Sequence, residues 1–233
     1  MTVRIYAVSM GEPREEEQRA AGWLERVPQA RAERIRRFRR FEDRWRSLAG
    51  DMLVAFVLQA EYGLNGDRLR IARDGFGKPF LASGGIHFNV SHAGRWVVAA
   101  FHEEPIGVDI ERIAEADMAV AETLFAHREC EALRRMDGEA RDRLFCAIWT
   151  GKESFAKADG RGLSLPLDAV VMGDARAEEY VARGPDGREK FLRRFALDPA
   201  YMLTVCAAAP EWPEAVARVA PELLDAPRID ADR

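Results

Sequence analysis

Cysteine is scarce in this chain, and its three thiols (Cys130, Cys146 and Cys206) lie far apart with no CxxC pair. That excludes a disulfide-built scaffold and a cysteine-built zinc site, and it predicts a reducing compartment. The four histidines include no HExxH arrangement, which excludes a zincin-type metal site. Long hydrophobic runs are missing too. The longest, residues 52–58 (MLVAFVL), has seven residues, against about 20 needed to span a bilayer. The opening MTVRIYAVSMGEPREEE has no apolar stretch of signal-peptide length. These absences predict a cytoplasmic protein without a membrane partner. Lysine is rare as well: only Lys78, Lys152, Lys157 and Lys190 occur among 35 basic residues, so arginine is the default cation.

The 233 residues are 48% hydrophobic and 32% charged, enough for a proper core in one or two domains. Net charge is 35 − 39 = −4, which argues against a nucleic-acid binder. One segment departs from this balance. Residues 31–46 (RAERIRRFRRFEDRWR) hold eight arginines against Glu33, Glu42 and Asp43, a local charge of 8 − 3 = +5. Such a patch attracts anions or forms a solvated helix face. Its aromatics Phe38, Phe41 and Trp45 recur at helical spacing and suit a buried stripe better than base stacking.

Periodicity predicts helices over residues 13–27, 29–41 and 43–62, the last stopped by Gly63, Asn65 and Gly66. Strands are predicted over 69–72, 86–90, 96–101 and 106–110. Helices return over 117–125, 128–136 and 139–158, then strands over 169–172, 179–182, 190–195 and 201–207. Helices then strands, repeated once, predict an α+β fold of two similar halves. No flexible linker stands near residue 105, so the halves should pack together. Residues 1–105 are expected to form one half, 106–210 the other, and 211–233 a loose, Pro-, Ala- and charge-rich tail with a short helix.

The segment GVDIE places Asp109 and Glu111 two apart on a predicted strand, so both carboxylates share one face. Two such groups repel unless a cation lies between them. Oxygen ligands without His or Cys favour Mg²⁺. In WTGKESFAK, Trp149, Glu153 and Lys157 are spaced i, i+4, i+8 and share a helical stripe. An exposed Glu–Lys pair is ordinary, but Phe145, Ile148 and Phe155 predict a packed helix around this one. In FNVSHAG, Ser91 and His92 end a strand and face opposite ways, so they form no hydrolase couple. Both can donate hydrogen bonds to a phosphate or simply decorate a polar turn. The loop DGFGKP presents Lys78 without a GxxxxGK[ST] pattern and is no nucleotide P-loop.

The order of these segments is more specific than any one of them. It reads FxxxEDRxRSLxG (38–50), FGKP (76–79), FNVSHAG (88–94), GVDIE (107–111) and WTGKESFAKxxGxGL (149–163). This series resembles the 4'-phosphopantetheinyl transferases, in the larger two-halved form that activates peptide and polyketide synthases. The likeness runs from Arg31 to Leu167, over half the chain.

That resemblance implies a pseudo-dimer of two α+β halves, acting as a monomer with coenzyme A bound between them. It implies transfer of the phosphopantetheine arm of coenzyme A to a serine of an apo acyl- or peptidyl-carrier protein, releasing 3',5'-ADP. Asp109, Glu111 and Glu153 match the Mg²⁺ ligands, and a water completes the shell because Ile110 offers no oxygen. Lys157 matches the lysine on the attacked phosphate. Lys78, Ser91, His92 and Arg46 match coenzyme-binding positions, while Arg31 and Arg34 stand near the 3'-phosphate. Either Glu153 or Glu129 matches the base for the serine. His127 and Gly151 depart from the family pattern without removing a ligand. Residues 113–124, with Met118 and Val120, are a candidate carrier surface or simply a helix covering the sheet. The competing reading is a non-catalytic coenzyme A or nucleotide-binding protein of the same fold.

Overall fold

A computed structural model describes the chain except residues 1, 76, 228 and 230–233, so Phe76 of the FGKP segment lies outside the described residues. The first half runs β1 (Arg4–Ser9), α1 (Pro13–Leu24), α2 (Gln29–Arg36), α3 (Phe41–Tyr62), β2 (Ile71–Arg73), β3 (Pro79–Leu81), β4 (His87–Ala93) and β5 (Trp96–His102). The second runs β6 (Ile106–Arg112), α4 (Met118–Leu124), α5 (His127–Arg134), α6 (Gly138–Asp159), β7 (Val171–Met172), β8 (Glu179–Arg183), β9 (Glu189–Arg194) and β10 (Tyr201–Ala207). Each half is therefore a strand, three helices and four strands.

The correspondence extends to detail. α3 and α6 each have 22 residues and end on a left-handed glycine, Gly63 (φ 63°) and Gly160 (φ 90°). In each half the first strand pairs antiparallel with the last, Ile5 facing Ala100 and Ile110 facing Leu203. The twofold character expected from element order alone is present in the topology.

Residue alternation builds the layers. On β5, Val97, Ala99 and Phe101 pack with α3, whereas Trp96, Val98 and Ala100 face the other half. On β6 and β10, Val108, Ile110, Leu203 and Val205 meet them. Two helices thus sandwich two sheets whose inner faces form one shared apolar core, each large side chain there contributing about 1.5–3 kcal/mol. No linker separates the halves.

At the seam, β4 and β6 belong to different sheets. The inward amides of β6 still need acceptors, since a buried unpaired N–H is costly. Side chains of β4 supply them. Val108 N donates to Asn89 Oδ1 at 2.9 Å and Ile110 N to Ser91 Oγ at 3.3 Å. Asn89 and Ser91 are buried accordingly.

Three expectations change. The helix expected over 29–41 stops at Arg36, and Phe41 starts α3 instead, with Glu42 and Asp43 in the favourable first turn. β1 and β3 are additional strands, outside those that periodicity predicts. Among its described residues the tail is not loose. Strand β11 (Ala217–Arg218) pairs parallel with β1, and the 3₁₀ turn Pro221–Asp225 packs beside α1 through Trp23 Nε1 on Asp225 Oδ1, 2.8 Å.

Candidate active site

The seam carries the chemistry. β6 turns Val108 and Ile110 into the shared core, which directs Asp109 and Glu111 to the opposite face, under α6. Gly107 lets α6 come that close. A Cβ there would lie 2.0 Å from Ser154 O and 2.5 Å from Ala158 N. One turn along, Lys157 reaches β6: its Nζ is 2.6 Å from Asp109 Oδ1, 3.3 Å from Val108 O and 3.2 Å from Ser91 Oγ. Ser91 Oγ in turn donates to Asp109 Oδ1 at 2.8 Å. Ser91 therefore holds Asp109 and Lys157 in register while also closing the seam.

Asp109 is 3% exposed, and its Oδ2 is buried with no hydrogen-bond partner. Burial, then the charge of Asp109, pushes the Glu111 carboxyl above the usual carboxylate range. Burial does the same to Glu153, with Lys157 opposing and Asp109 adding to the shift. Three carboxylates thus share one lysine. Among the described residues no three carboxylate, imidazole or thiolate groups close around one point. Nevertheless, an orphaned carboxylate oxygen beside two further hard oxygen donors fits a divalent cation such as Mg²⁺.

Beside this cluster lies an arginine-lined cleft in two parts. A cavity of about 150 Å³ is bordered by Arg31, Arg46, Ser47, Arg73 and His92. A larger one of about 890 Å³ is bordered by Arg31, Arg34, Asp51 and Arg73, with Val27 and Ile229 as apolar wall. Arg46 is anchored by Asp43 and by Gly94 O at 2.9 Å. Partial burial, and then the Arg46 charge, hold the His92 imidazole below its usual pKa. Lys78 donates Nζ to the Lys157 carbonyl on α6.

Arg31, Arg34, Arg46 and His92 thus meet in the cleft, and Ser91, Asp109 and Lys157 in the cluster with Glu111 and Glu153 alongside. Glu129 stands apart. Its Oε1 accepts Met172 N (3.1 Å), and its Oε2 accepts Ala126 N (2.8 Å) and pairs with Lys152 Nζ (2.9 Å). Lys152 is wholly buried and also donates to Leu167 O and Val170 O at 2.7 and 2.6 Å. This pair locks α5 and α6 to the segment leading into β7, and its bonds offset the cost of burying two charges. Gly151 is explained by packing: a Cβ there would lie 2.3 Å from Met172 Cε and 2.7 Å from the Tyr180 hydroxyl. Met118 and Leu124 are half-buried against the second-half core. Arg73 and Asp51 lie just outside the quoted motifs, and Asn89 lies within FNVSHAG without a role of its own there; the partners of Asn89 and Asp51 are distant in the chain.

Two family models fit end to end. The N-terminal 4'-phosphopantetheinyl transferase model matches residues 12–104, and the 4'-phosphopantetheinyl transferase superfamily model matches 105–206. Their junction falls at the turn between β5 and β6. The chain is 34% identical over 224 residues to 4'-phosphopantetheinyl transferase Sfp of Bacillus subtilis (strain 168), covering 95% of this chain and all of that one. The chain belongs to the 4'-phosphopantetheinyl transferase superfamily. Another Bacillus subtilis 4'-phosphopantetheinyl transferase is 36% identical over 90% of this chain and 94% of its own. The L-aminoadipate-semialdehyde dehydrogenase-phosphopantetheinyl transferase of Xenopus laevis is 33% identical over 59% of this chain and 51% of its own. The transferase family thus spans both halves and the seam that joins Ser91 to Asp109.

Proposed function

We propose that this phosphopantetheinyl transferase takes the arm of coenzyme A and places it on a serine of an apo acyl- or peptidyl-carrier protein. The serine oxygen bonds to the phosphorus that carries pantetheine. The bond from that phosphorus to the bridging oxygen breaks, and 3',5'-ADP leaves with both bonding electrons. One observation carries the reading: Ser91 of the first half and Asp109 and Lys157 of the second meet at one point, beside an arginine-lined cleft.

The cleft takes the anionic coenzyme, with Arg31, Arg34, Arg46 and His92 toward its phosphates and Lys78 at the passage to the cluster. Lys157 sits where a fixed cation stabilises charge passing to the leaving oxygen. Glu153, on the α6 stripe that also carries Lys157, takes the serine proton. Glu129, spent on Lys152, positions α6 instead. Asp109 and Glu111, with Glu153 alongside, would hold Mg²⁺, which when bound neutralises pyrophosphate charge and stabilises the leaving phosphate. The shared core lies within one chain, which supports a monomer. Buried free thiols at Cys130, Cys146 and Cys206 support a reducing cytoplasm. Among the described residues no helix is long and apolar enough to cross a membrane.

The test is to incubate the protein with coenzyme A, Mg²⁺ and an apo carrier protein, then weigh the carrier. A gain of one phosphopantetheine supports transfer. Coenzyme A binding with no gain on any of several carriers would favour the non-catalytic reading.

A further inference from the structure

We propose that a second cavity, between α5, α6 and the end of β7, binds a small amphiphilic carboxylate: an aliphatic chain carrying one negative charge. The cavity is the counterpart, in the second half, of the arginine-lined cleft in the first. α2 and α5 have eight residues each, and α3 and α6 have 22 each. Their positions can therefore be matched one to one from their starts. On that match Arg31 corresponds to Glu129, Arg34 to Ala132, Ser47 to Leu144 and Asp51 to Ile148. The four first-half residues border the arginine-lined cleft. The four second-half residues border the second cavity, of about 500 Å³.

The repeat keeps the cavity and changes its chemistry. Two polar positions on the long helix become Leu144 and Ile148, and Met136 and Met172 add further apolar lining. Such a lining suits an aliphatic chain, and the volume is that of a small-ligand pocket. Three arginines (Arg128, Arg135 and Arg176) and two carboxylates (Glu129 and Asp174) border it, 3 − 2 = +1, which matches a monoanion. Both carboxylates are already met, Glu129 by Lys152 and Asp174 by Arg176, each at 2.9 Å. Arg135 reaches Glu131 at 3.6 Å. Among the described residues Arg128 forms no ion pair. It donates Nη2 to Met172 O, which holds the guanidinium at the cavity edge and leaves Nε and Nη1 over. Arg128 is thus the cation left for an outside carboxylate, which a guanidinium meets with two parallel bonds. Leu144 and Ile148 share α6 with Glu153 and Lys157, so the chain packs on the helix that carries the cluster.

The experiment titrates hexanoate, octanoate and octanol into the protein, read by calorimetry and by the spectra of isotope-labelled methionine methyls. Met136 and Met172 border the cavity, whereas Met10 and Met52 belong to the first-half core. Octanoate should shift the Met136 and Met172 signals and leave those of Met10 and Met52 in place. Affinity should rise about fourfold for each methylene from hexanoate to octanoate. Octanol should bind roughly tenfold more weakly than octanoate, the scale of a hydrogen bond to a charged group. Arg128→Ala should lose that preference for the carboxylate, and Arg34→Ala, in the first cleft, should keep it. Ala132→Phe, which fills the cavity, should weaken both ligands. No binding of octanoate, or binding that leaves both cavity methionines unshifted, overturns the site. Equal affinity for octanoate and octanol in the parent overturns the choice of a carboxylate. The methionine signals are read on the parent, so they decide the matter even where a variant fails to fold. No arm uses coenzyme A, so the result is independent of the functional reading above.

Discussion

Lys157 Nζ lies 2.6 Å from Asp109 Oδ1, while Oδ2 of the same carboxylate is buried without a partner. The lysine is thus held by one oxygen of a group whose other oxygen is left without a partner. Held rigidly, it costs no reorganisation when charge develops on a phosphate nearby. Lys157→Met should therefore lower kcat by about a hundredfold or more, with a much smaller change in coenzyme A affinity. Steady-state kinetics and binding titration separate these. An intact kcat with weakened binding would make the lysine a phosphate clamp only.

Glu153 adds a third carboxylate to that single lysine. Without a divalent cation, its charge works against the folded state. Glu153→Gln should melt no lower than the parent in chelator, and should lose most of the rise in melting temperature that Mg²⁺ gives the parent. Thermal denaturation with and without Mg²⁺ reads both. An equal Mg²⁺ response in parent and variant would remove Glu153 from the cation site.

How much of this site is legible in the sequence depends on the range of the contacts. Both long helices are readable from their apolar stripes, and the β6 alternation of Val108 and Ile110 with Asp109 and Glu111 is local. β1 is not readable this way. Its Ile5 and Ala7 face the shared core while Tyr6 and Val8 face the α3 side, so both faces are apolar and no alternation appears. The Asn89 and Ser91 bonds to β6 are long-range, as is the Arg31–Asp51 pair. A motif marks a residue type, not its partner. Thus Glu129, one of the two residues that the resemblance offers as the base, is found bonded to Lys152.

Gly107 looks ordinary in the sequence, yet it faces backbone rather than flexible side chains. Gly107→Ala must push α6 off β6, because Ser154 O and Ala158 N cannot rotate away. The expected loss is about 3 kcal/mol, at the upper end of overpacking. Since Lys157 is displaced with the helix, activity should fall further than the folded fraction. Chemical denaturation alongside the transfer assay checks this. A variant as stable and active as the parent would mean that the helix is free to move.

The halves are also joined by Asp198, in the turn before β10. It accepts from Trp96 Nε1 (3.0 Å), Ala200 N (3.0 Å) and Arg95 Nη2 (2.7 Å). The Trp96 bond first, then Ala200 and Arg95, hold its carboxyl down at about 2. An unfolded aspartate titrates near 3.9. The depressed group contributes stability above about pH 4 that disappears as pH falls toward 2. Across that window Asp198→Asn should show a shallower fall in melting temperature than the parent. Identical slopes would mean that the carboxylate charge does not hold the turn.

Ile229 links the tail to the cleft. It is buried, its N–H donates to Arg26 O at 2.9 Å, and it forms part of the apolar wall opposite the arginines. An apolar wall suits the uncharged part of a nucleotide, as the arginines suit its phosphate. Ile229→Asp should therefore weaken coenzyme A and dephospho-coenzyme A by the same factor, roughly tenfold for removing apolar surface and introducing a charge. Global stability should fall little, because Asp225 and Glu222 still tie the tail to Trp23 and Arg19. A loss confined to coenzyme A would instead mean that the introduced carboxylate repels the 3'-phosphate. No loss for either ligand would take the tail out of the site.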